Sequence, residues 1–380
     1  MDPGVGRLTT DETNQGEAKV YSELRTRYGW RWGGGWGAQL SIVKRYFTRC
    51  DLFIQLALTL AWNRVDVARA CFVSPTSGEQ VPCSTTSLYP AMQEALRLER
   101  VDFVECLLEH GVSMKKFLSF SRLEQLYNMD EKTSHSIRYL ATNDSGQKKR
   151  FTVPQIGEII ERLMGGNYKS LYTSRTFKSR YAKSKERNSQ PGGGQMKKKN
   201  WKRRAYTTES EESSGGDFAQ PFNDLIVWAI LTRRPDMARC MWLHGEDAMA
   251  KSLCAIRLYK AIARLVESEY VEVEMAKKLR EHADRFVHDS LSLLDCCYQG
   301  NDDATLRLLT AEMSEWGHHT CLSLAVLANN KTFLGHECCQ MLLAELWHGR
   351  LRVRSGSNLR VLGALLVPPA VLLLSYKADE

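Results

Sequence analysis

The residues of this sequence best equipped for chemistry lie near its C-terminal end. His318, His319, Cys321, His336, Cys338 and Cys339 form a cluster of imidazoles and thiols, the donor set that suits zinc. Spacing decides whether they could converge. A hairpin of 317–328 on 332–346 would set Cys321 opposite Cys339. It would send His318 and His336 a turn away in opposite directions, about 9 Å apart along the axis at 1.5 Å per residue. Four ligands do not meet on one ion from there. The pattern predicts packed thiols, helix-end histidines and no metal ligands.

His110, His244 and His348 each stand beside a glycine at a predicted helix end, where a cation favours the helix dipole. They read as caps rather than bases. Gly165-Gly166 lacks the Lys and Ser/Thr of a phosphate loop, and the glycines at 192–194 follow no strand. No catalytic residue, no cofactor-binding residue and no cofactor is therefore expected, and the chain is not read as an enzyme. The basic run Lys197-Lys198-Lys199-Asn200-Trp201-Lys202-Arg203-Arg204 could serve as a nuclear-localisation signal or nucleic-acid patch. A solvated linker is the better reading, and nucleic acid is not the expected partner. Such a run can touch an anionic membrane surface, where each basic residue is worth about 1 kcal/mol. Phosphorylation of the hydroxyl-rich, acidic stretch 207–214 would weaken that contact.

These residues need elements to position them. With 380 residues, 43% hydrophobic and 25% charged, the chain has ordinary globular composition and room for two or three domain-sized units. Its start is not a secretory signal. No apolar run reaches the length of about 18 residues that spans a bilayer; the nearest, 361–374, is interrupted by Pro368-Pro369. Its 11 cysteines are scattered within apolar helical patterns and read as reduced thiols. The net charge of +8 is concentrated: between Lys169 and Arg204 stand 13 Lys/Arg against one acid, Glu186, leaving the rest mildly acidic.

Residues 1–37 end in a glycine-rich stretch with Trp30, Trp32 and Trp36, which holds no helix. From residue 38 an irregular repeat emerges: apolar helix, short polar turn, second amphipathic helix. Its copies run through Asn63-Arg64-Val65-Asp66, Glu99-Arg100-Val101-Asp102 and Arg233-Arg234-Pro235-Asp236. Weaker ones run through Asn301-Asp302-Asp303 and Asn329-Asn330-Lys331-Thr332. The Asp or Thr is expected to cap the second helix, alanines to allow close packing, and glycines such as Gly111 and Gly245 to end it. Such pairs bury their apolar faces only by stacking. Thr152-Val153-Pro154 opens a further helix with Ile156, Ile159, Ile160 and Leu163 on one stripe, stopped at Gly165-Gly166. The predicted fold is all-α: stacked helical hairpins, an ankyrin- or armadillo-like solenoid, in two blocks. The divisions are an irregular leader 1–37, a first block 38–180, a disordered basic-then-acidic linker 181–216, and a second block 217–377.

The sequence resembles the melastatin subfamily of transient receptor potential cation channels. The resemblance rests on Leu58-Thr59-Leu60-Ala61-Trp62-Asn63-Arg64-Val65-Asp66-Val67-Ala68-Arg69, Arg100-Val101-Asp102-Phe103 with Glu109-His110-Gly111-Val112-Ser113-Met114, and Ser121-Arg122-Leu123-Glu124-Gln125-Leu126-Tyr127-Asn128. It continues through Leu163-Met164-Gly165-Gly166-Asn167-Tyr168, Val227-Trp228-Ala229-Ile230-Leu231, His244-Gly245-Glu246-Asp247-Ala248-Met249-Ala250-Lys251 and Cys338-Cys339-Gln340-Met341-Leu342-Leu343. It closes at Trp347-His348-Gly349-Arg350-Leu351 and Pro368-Pro369. It runs in family order over about 56–377.

The resemblance implies a cytosolic assembly and regulatory region of a channel that passes calcium or other divalent cations. Its partners would be other channel subunits, a tetramer in the full-length protein, with anionic lipid as a further contact of the basic run. The family's α/β N-terminal region, six-helix pore, TRP helix, coiled coil and enzymatic tails have no counterpart in these residues. The chain is accordingly read as lacking the pore and soluble by itself, on the cytosolic side of the plasma membrane. The alternative is an independent soluble adaptor, or short isoform, that modulates channel subunits.

Overall fold

The computed structural model describes residues 52–72, 88–129, 140, 150–189, 217–268 and 273–348. Among them the chain is all-α, with sixteen α-helices, two 3-10 turns, no strand and one isolated bridge between Met313 and His319. No helix among these residues is long and apolar enough to cross a membrane.

The described residues divide into two compact units. The first comprises those up to Arg122 together with 217–221. Here α1 (Leu52–Ala61) pairs with α2 (Val65–Cys71), and α3 (Tyr89–Arg97) with α4 (Val101–Glu109). The pairs then stack, α1 on α3 and α2 on α4. That burial encloses Leu60, Phe72, Met92, Leu96, Phe103 and Leu107, none more than 2% exposed. Each such side chain contributes on the order of 2 kcal/mol, which neither pair could collect alone. α5 (Met114–Phe117) and the start of α6 (Phe120–Asn128) follow.

The second unit comprises the described residues from Leu123 to 189 and from Phe222 to 348. Its elements are α7 (Val153–Met164), α8 (Arg175–Ser189), α9 (Pro221–Leu231), α10 (Pro235–Leu243), α11 (Ala248–Ser268), α12 (Val273–Gly300), α13 (Asp302–Thr310), α14 (Cys321–Leu327), α15 (Lys331–Leu334) and α16 (Glu337–His348). The long helices α11 and α12 pack along each other as a spine. α7, α10 and α14 lie against α11, and α13 and α15 against α12.

The repeat has one physical signature. Asn63, Glu99, Arg233 and Asn329 all take left-handed backbone angles, with φ between 48° and 59°. In each case the next residue's N–H reaches back five residues to a carbonyl. Arg64 N donates to Thr59 O at 2.9 Å, Arg100 N to Ala95 O at 2.9 Å, Arg234 N to Ala229 O at 2.8 Å, and Asn330 N to Ala325 O at 3.0 Å. This is the Schellman closure, built four times without glycine. The alanines beneath the turns (Ala95, Ala229 and Ala325) are fully enclosed.

Several expectations need correction. The residue at the start of the second helix is Arg64, Arg100 or Arg234, none with a side-chain cap. Asp66, Asp102 and Asp236 lie inside the first turn instead, where a carboxylate still favours the dipole. Asn330, not Thr332, caps α15, its side chain accepting from Phe333 N. The Asn301 copy lacks the left-handed turn: α12 runs on to Gly300, and Asn301 caps α13 in extended geometry. The helix expected over 332–346 is two, α15 and α16, broken at Gly335-His336. Finally, α8 continues through Ser189, into the stretch predicted to be linker. Phe177 is buried at its start, and Tyr181 donates to Glu124. The leader 1–37, the basic run 197–204 and the apolar stretch 361–374 lie outside the described residues.

Candidate functional site

The His/Cys cluster is taken apart by packing. Cys321 and Cys339 are buried free thiols, both pushed up to about 12, chiefly by burial, with Asp247 and Cys339 adding at Cys321 and Cys338 at Cys339. Cys254 on α11 is raised for the same reason, with Cys321 adding to it. Protonated, enclosed thiols are poor ligands and poor nucleophiles. The histidines are engaged elsewhere. His336 Nε2 sits 2.7 Å from Asp295 Oδ1 and its Nδ1 accepts from Cys338 N–H at 3.2 Å, capping α16. The His319 ring stacks on Tyr168 with centroids 5.6 Å apart, and its Nδ1 meets Ser323 Oγ at 3.1 Å. Among the described residues no group of three or more His, Cys, Asp or Glu is placed to hold a metal ion.

His110 and His244 end α4 and α10. Each Nδ1 lies 2.7–2.8 Å from the carbonyl of the residue four back, Cys106 or Cys240, whose sulfur is 3.9 Å away. Each ring stacks on a phenylalanine, Phe72 at 3.9 Å and Phe222 at 5.8 Å. A Cβ on Gly245 (φ +78°) would meet Phe222 at 2.7 Å, so the stop after His244 needs glycine both for its angle and for its space. The side chain of His348 lies outside the described residues.

Sequence reasoning passed over three charged groups of the second unit. Lys251, in the first turn of α11, is fully enclosed. Its ammonium donates to Met241 O at 3.2 Å and to His244 O, satisfying the carbonyls that end α10. Burial lowers its pKa to about 8, Asp247 partly opposing. Asp224, in the apolar helix α9, accepts from Tyr172 O–H. Desolvation raises its carboxyl to about 8 against that hydrogen bond, and Glu315 adds to the rise. A lone ion inside an apolar run was the available signal for both.

The third group is cationic. Arg257, Lys260 and Arg264 follow one another at i, i+3 and i+7, one stripe of α11. With Arg280 and Asp284 of α12 they line an open groove of about 580 Å³, closed at one side by the turn at Ala328 and Asn329. Arg257 Nε donates to Met164 O at 2.7 Å; Lys260 Nζ donates to Ala328 O at 3.2 Å and Asn329 O at 3.4 Å. Arg280 pairs with Glu267. The Arg-x2-Lys-x3-Arg spacing was legible in sequence; its facing Arg280 was not.

A family profile for the TRPM2-like domain matches residues 78–336, more than half the chain. A transient receptor potential channel of Caenorhabditis elegans is 37% identical over 421 residues, covering 86% of this chain and 20% of the relative. The transient receptor potential cation channel trpm of Drosophila melanogaster is 39% identical over 347 residues, covering 86% and 16%. The human transient receptor potential cation channel subfamily M member 7 is 33% identical over 380 residues, covering 87% and 20%. The chain thus spans about a fifth of the length of the curated relatives it matches.

Proposed function

The chain belongs to the melastatin family of transient receptor potential channels, and on that premise we propose that it is the cytosolic assembly and regulatory region of a channel for calcium or other divalent cations. The pore is supplied by sequence outside the described helices, and the chain performs no catalysis. The observation that carries the reading is the turn built four times with one geometry. Helical pairs closed in this way stack into a stiff scaffold, and a scaffold transmits displacement where a flexible linker would absorb it. The final described helix supports an assembly role, because Leu346 and Trp347 are 60% and 87% exposed, the kind of apolar surface a protein partner covers. The partners are the other subunits of a tetramer. The basic run 197–204 adds a contact with anionic lipid.

Co-expression with a full-length melastatin subunit tests this. The tagged 380-residue chain is expected to co-purify with the subunit, and Leu346→Ser with Trp347→Ser to reduce the captured amount at least fivefold. A wild-type chain that captures no channel subunit would remove the assembly reading.

A further inference from the structure

Where α16 meets α12, a sulfur atom serves as a fastener. Met341, one turn into α16, is 50% exposed, and its Sδ accepts from the Tyr298 hydroxyl of α12 at 3.4 Å. The Tyr298 ring meets His336 edge to face, with centroids 5.8 Å apart, and His336 in turn reaches Asp295 of α12. A phenol donating to a thioether makes a weak bond, because divalent sulfur is a poor acceptor. Desolvation raises the Tyr298 hydroxyl above its ordinary range, with Glu337, Cys338 and Asp302 adding, so it stays a donor at neutral pH. The other described methionines differ in their access to water. Met92, Met114, Met164, Met237, Met241 and Met249 are enclosed, and Met129, Met275 and Met313 are half-buried. Among the described methionines, Met341 alone is exposed. The thiols of the same helix, Cys338 and Cys339, are enclosed, and burial holds both in the protonated form, which reacts slowly with oxidants.

We propose that Met341 is a site of reversible oxidation by peroxide, and that its sulfoxide tightens the contact between α12 and α16 through Tyr298. A thioether sulfur carries two lone pairs. Tyr298 engages one, and exposure leaves the other open to attack a peroxide oxygen. In that step the O–O bond breaks and an S–O bond forms. The sulfur gives up two electrons, and the departing hydroxide takes the proton left on the transferred oxygen and leaves as water. The product changes the bond to Tyr298, because a sulfoxide oxygen is polar and accepts where the thioether did so only weakly. The unbranched methionine side chain has the rotatable bonds to turn that oxygen toward the hydroxyl. An enclosed methionine would disrupt its core on gaining an oxygen, whereas at Met341 the new oxygen keeps access to water. The inference stands independently of the channel reading, since it concerns a covalent change in the chain itself.

Dilute hydrogen peroxide added to the folded 380-residue chain tests it. Exposed thiols such as Cys296 are alkylated beforehand, and peptide mass mapping follows the oxygen gained at each methionine. Met341 is expected to oxidise at least tenfold faster than Met92, Met237 or Met241. Amide hydrogen exchange then reads the contact. Amides of α16 around Met341 should exchange about threefold more slowly after oxidation, the effect of one strengthened hydrogen bond. Methionine sulfoxide reductases acting on both epimers should restore the original rate. Tyr298→Phe removes only the hydroxyl, so it should still oxidise at Met341 but show no slowing. Met341→Leu keeps the volume and should show no response of α16 to peroxide. Both variants alter one group at the surface and should keep the wild-type melting curve. The proposal is overturned if Met341 oxidises no faster than the enclosed methionines, or if exchange in α16 is unchanged or faster in the oxidised wild type. It is equally overturned if oxidised Tyr298→Phe slows as the wild type does.

Discussion

The two ends of α11 carry cations of the same chemistry in opposite circumstances. At its start, Lys251 is enclosed, and its ammonium meets the carbonyls of Met241 and His244. Further along, Arg257, Lys260 and Arg264 share a groove with Arg280 and only one lining acid. The first cation completes a helix end, so its charge is consumed by the fold. The others also meet protein acceptors (Arg257 at Met164 O, Lys260 at Ala328 O and Asn329 O, Arg264 at Lys260 O, Arg280 at Glu267), but they do so at an open surface. Enclosure, more than the presence of acceptors, separates the two sets: a cation stranded in the interior costs far more than one that can turn to water.

Substitutions can break or sharpen this contrast. The largest effect is expected at Lys251. Lys251→Met keeps the packing but strands the carbonyls that end α10, and should cost about 2–3 kcal/mol, read by urea denaturation. A loss below about 0.5 kcal/mol would equate Lys251 with a surface lysine and dissolve the distinction. The pH dependence carries a sign. Between about 8 and the ordinary 10.5, the folded state holds fewer protons on Lys251 than the unfolded state does, so wild-type stability rises with pH there. The gap to Lys251→Met should therefore widen.

Asp224 gives the intermediate case, a part-buried acid whose carboxylate meets the neutral Tyr172 hydroxyl. Between the ordinary 3.8 and about 8, its folded form holds more protons than its unfolded form, so stability declines as pH rises through that window. Asp224→Asn keeps an acceptor for Tyr172 and should flatten the decline, gaining on the order of 1–2 kcal/mol at pH 8. Parallel pH profiles for the two proteins would show that the carboxyl is not held neutral. The smallest effect belongs to the groove rim: Arg264→Gln should change stability by less than about 0.5 kcal/mol. A larger loss would make the groove arginines structural, as Lys251 is.

Much of the architecture was legible in the sequence. The helical pairs, their alanine contacts, the glycine stops and the helix opened by Thr152 all follow from residues within one turn of each other. The reading faltered where neighbours far along the chain intervene. α8 outlasts its weak local pattern because Phe177 is buried and Tyr181 reaches Glu124. The boundary between the compact units falls inside α6, between Arg122 and Leu123, where composition does not change.

The sequence by itself determined the repeating turn, because each closure joins an N–H to a carbonyl five residues earlier and asks nothing of the rest of the molecule. Only the tertiary structure decided which groups the charges meet. Arg257 is fixed by a carbonyl 93 residues away and Lys260 by one 68 residues away. The environment of an ion depends on whatever surrounds it in space, and long-range packing alone sets those surroundings.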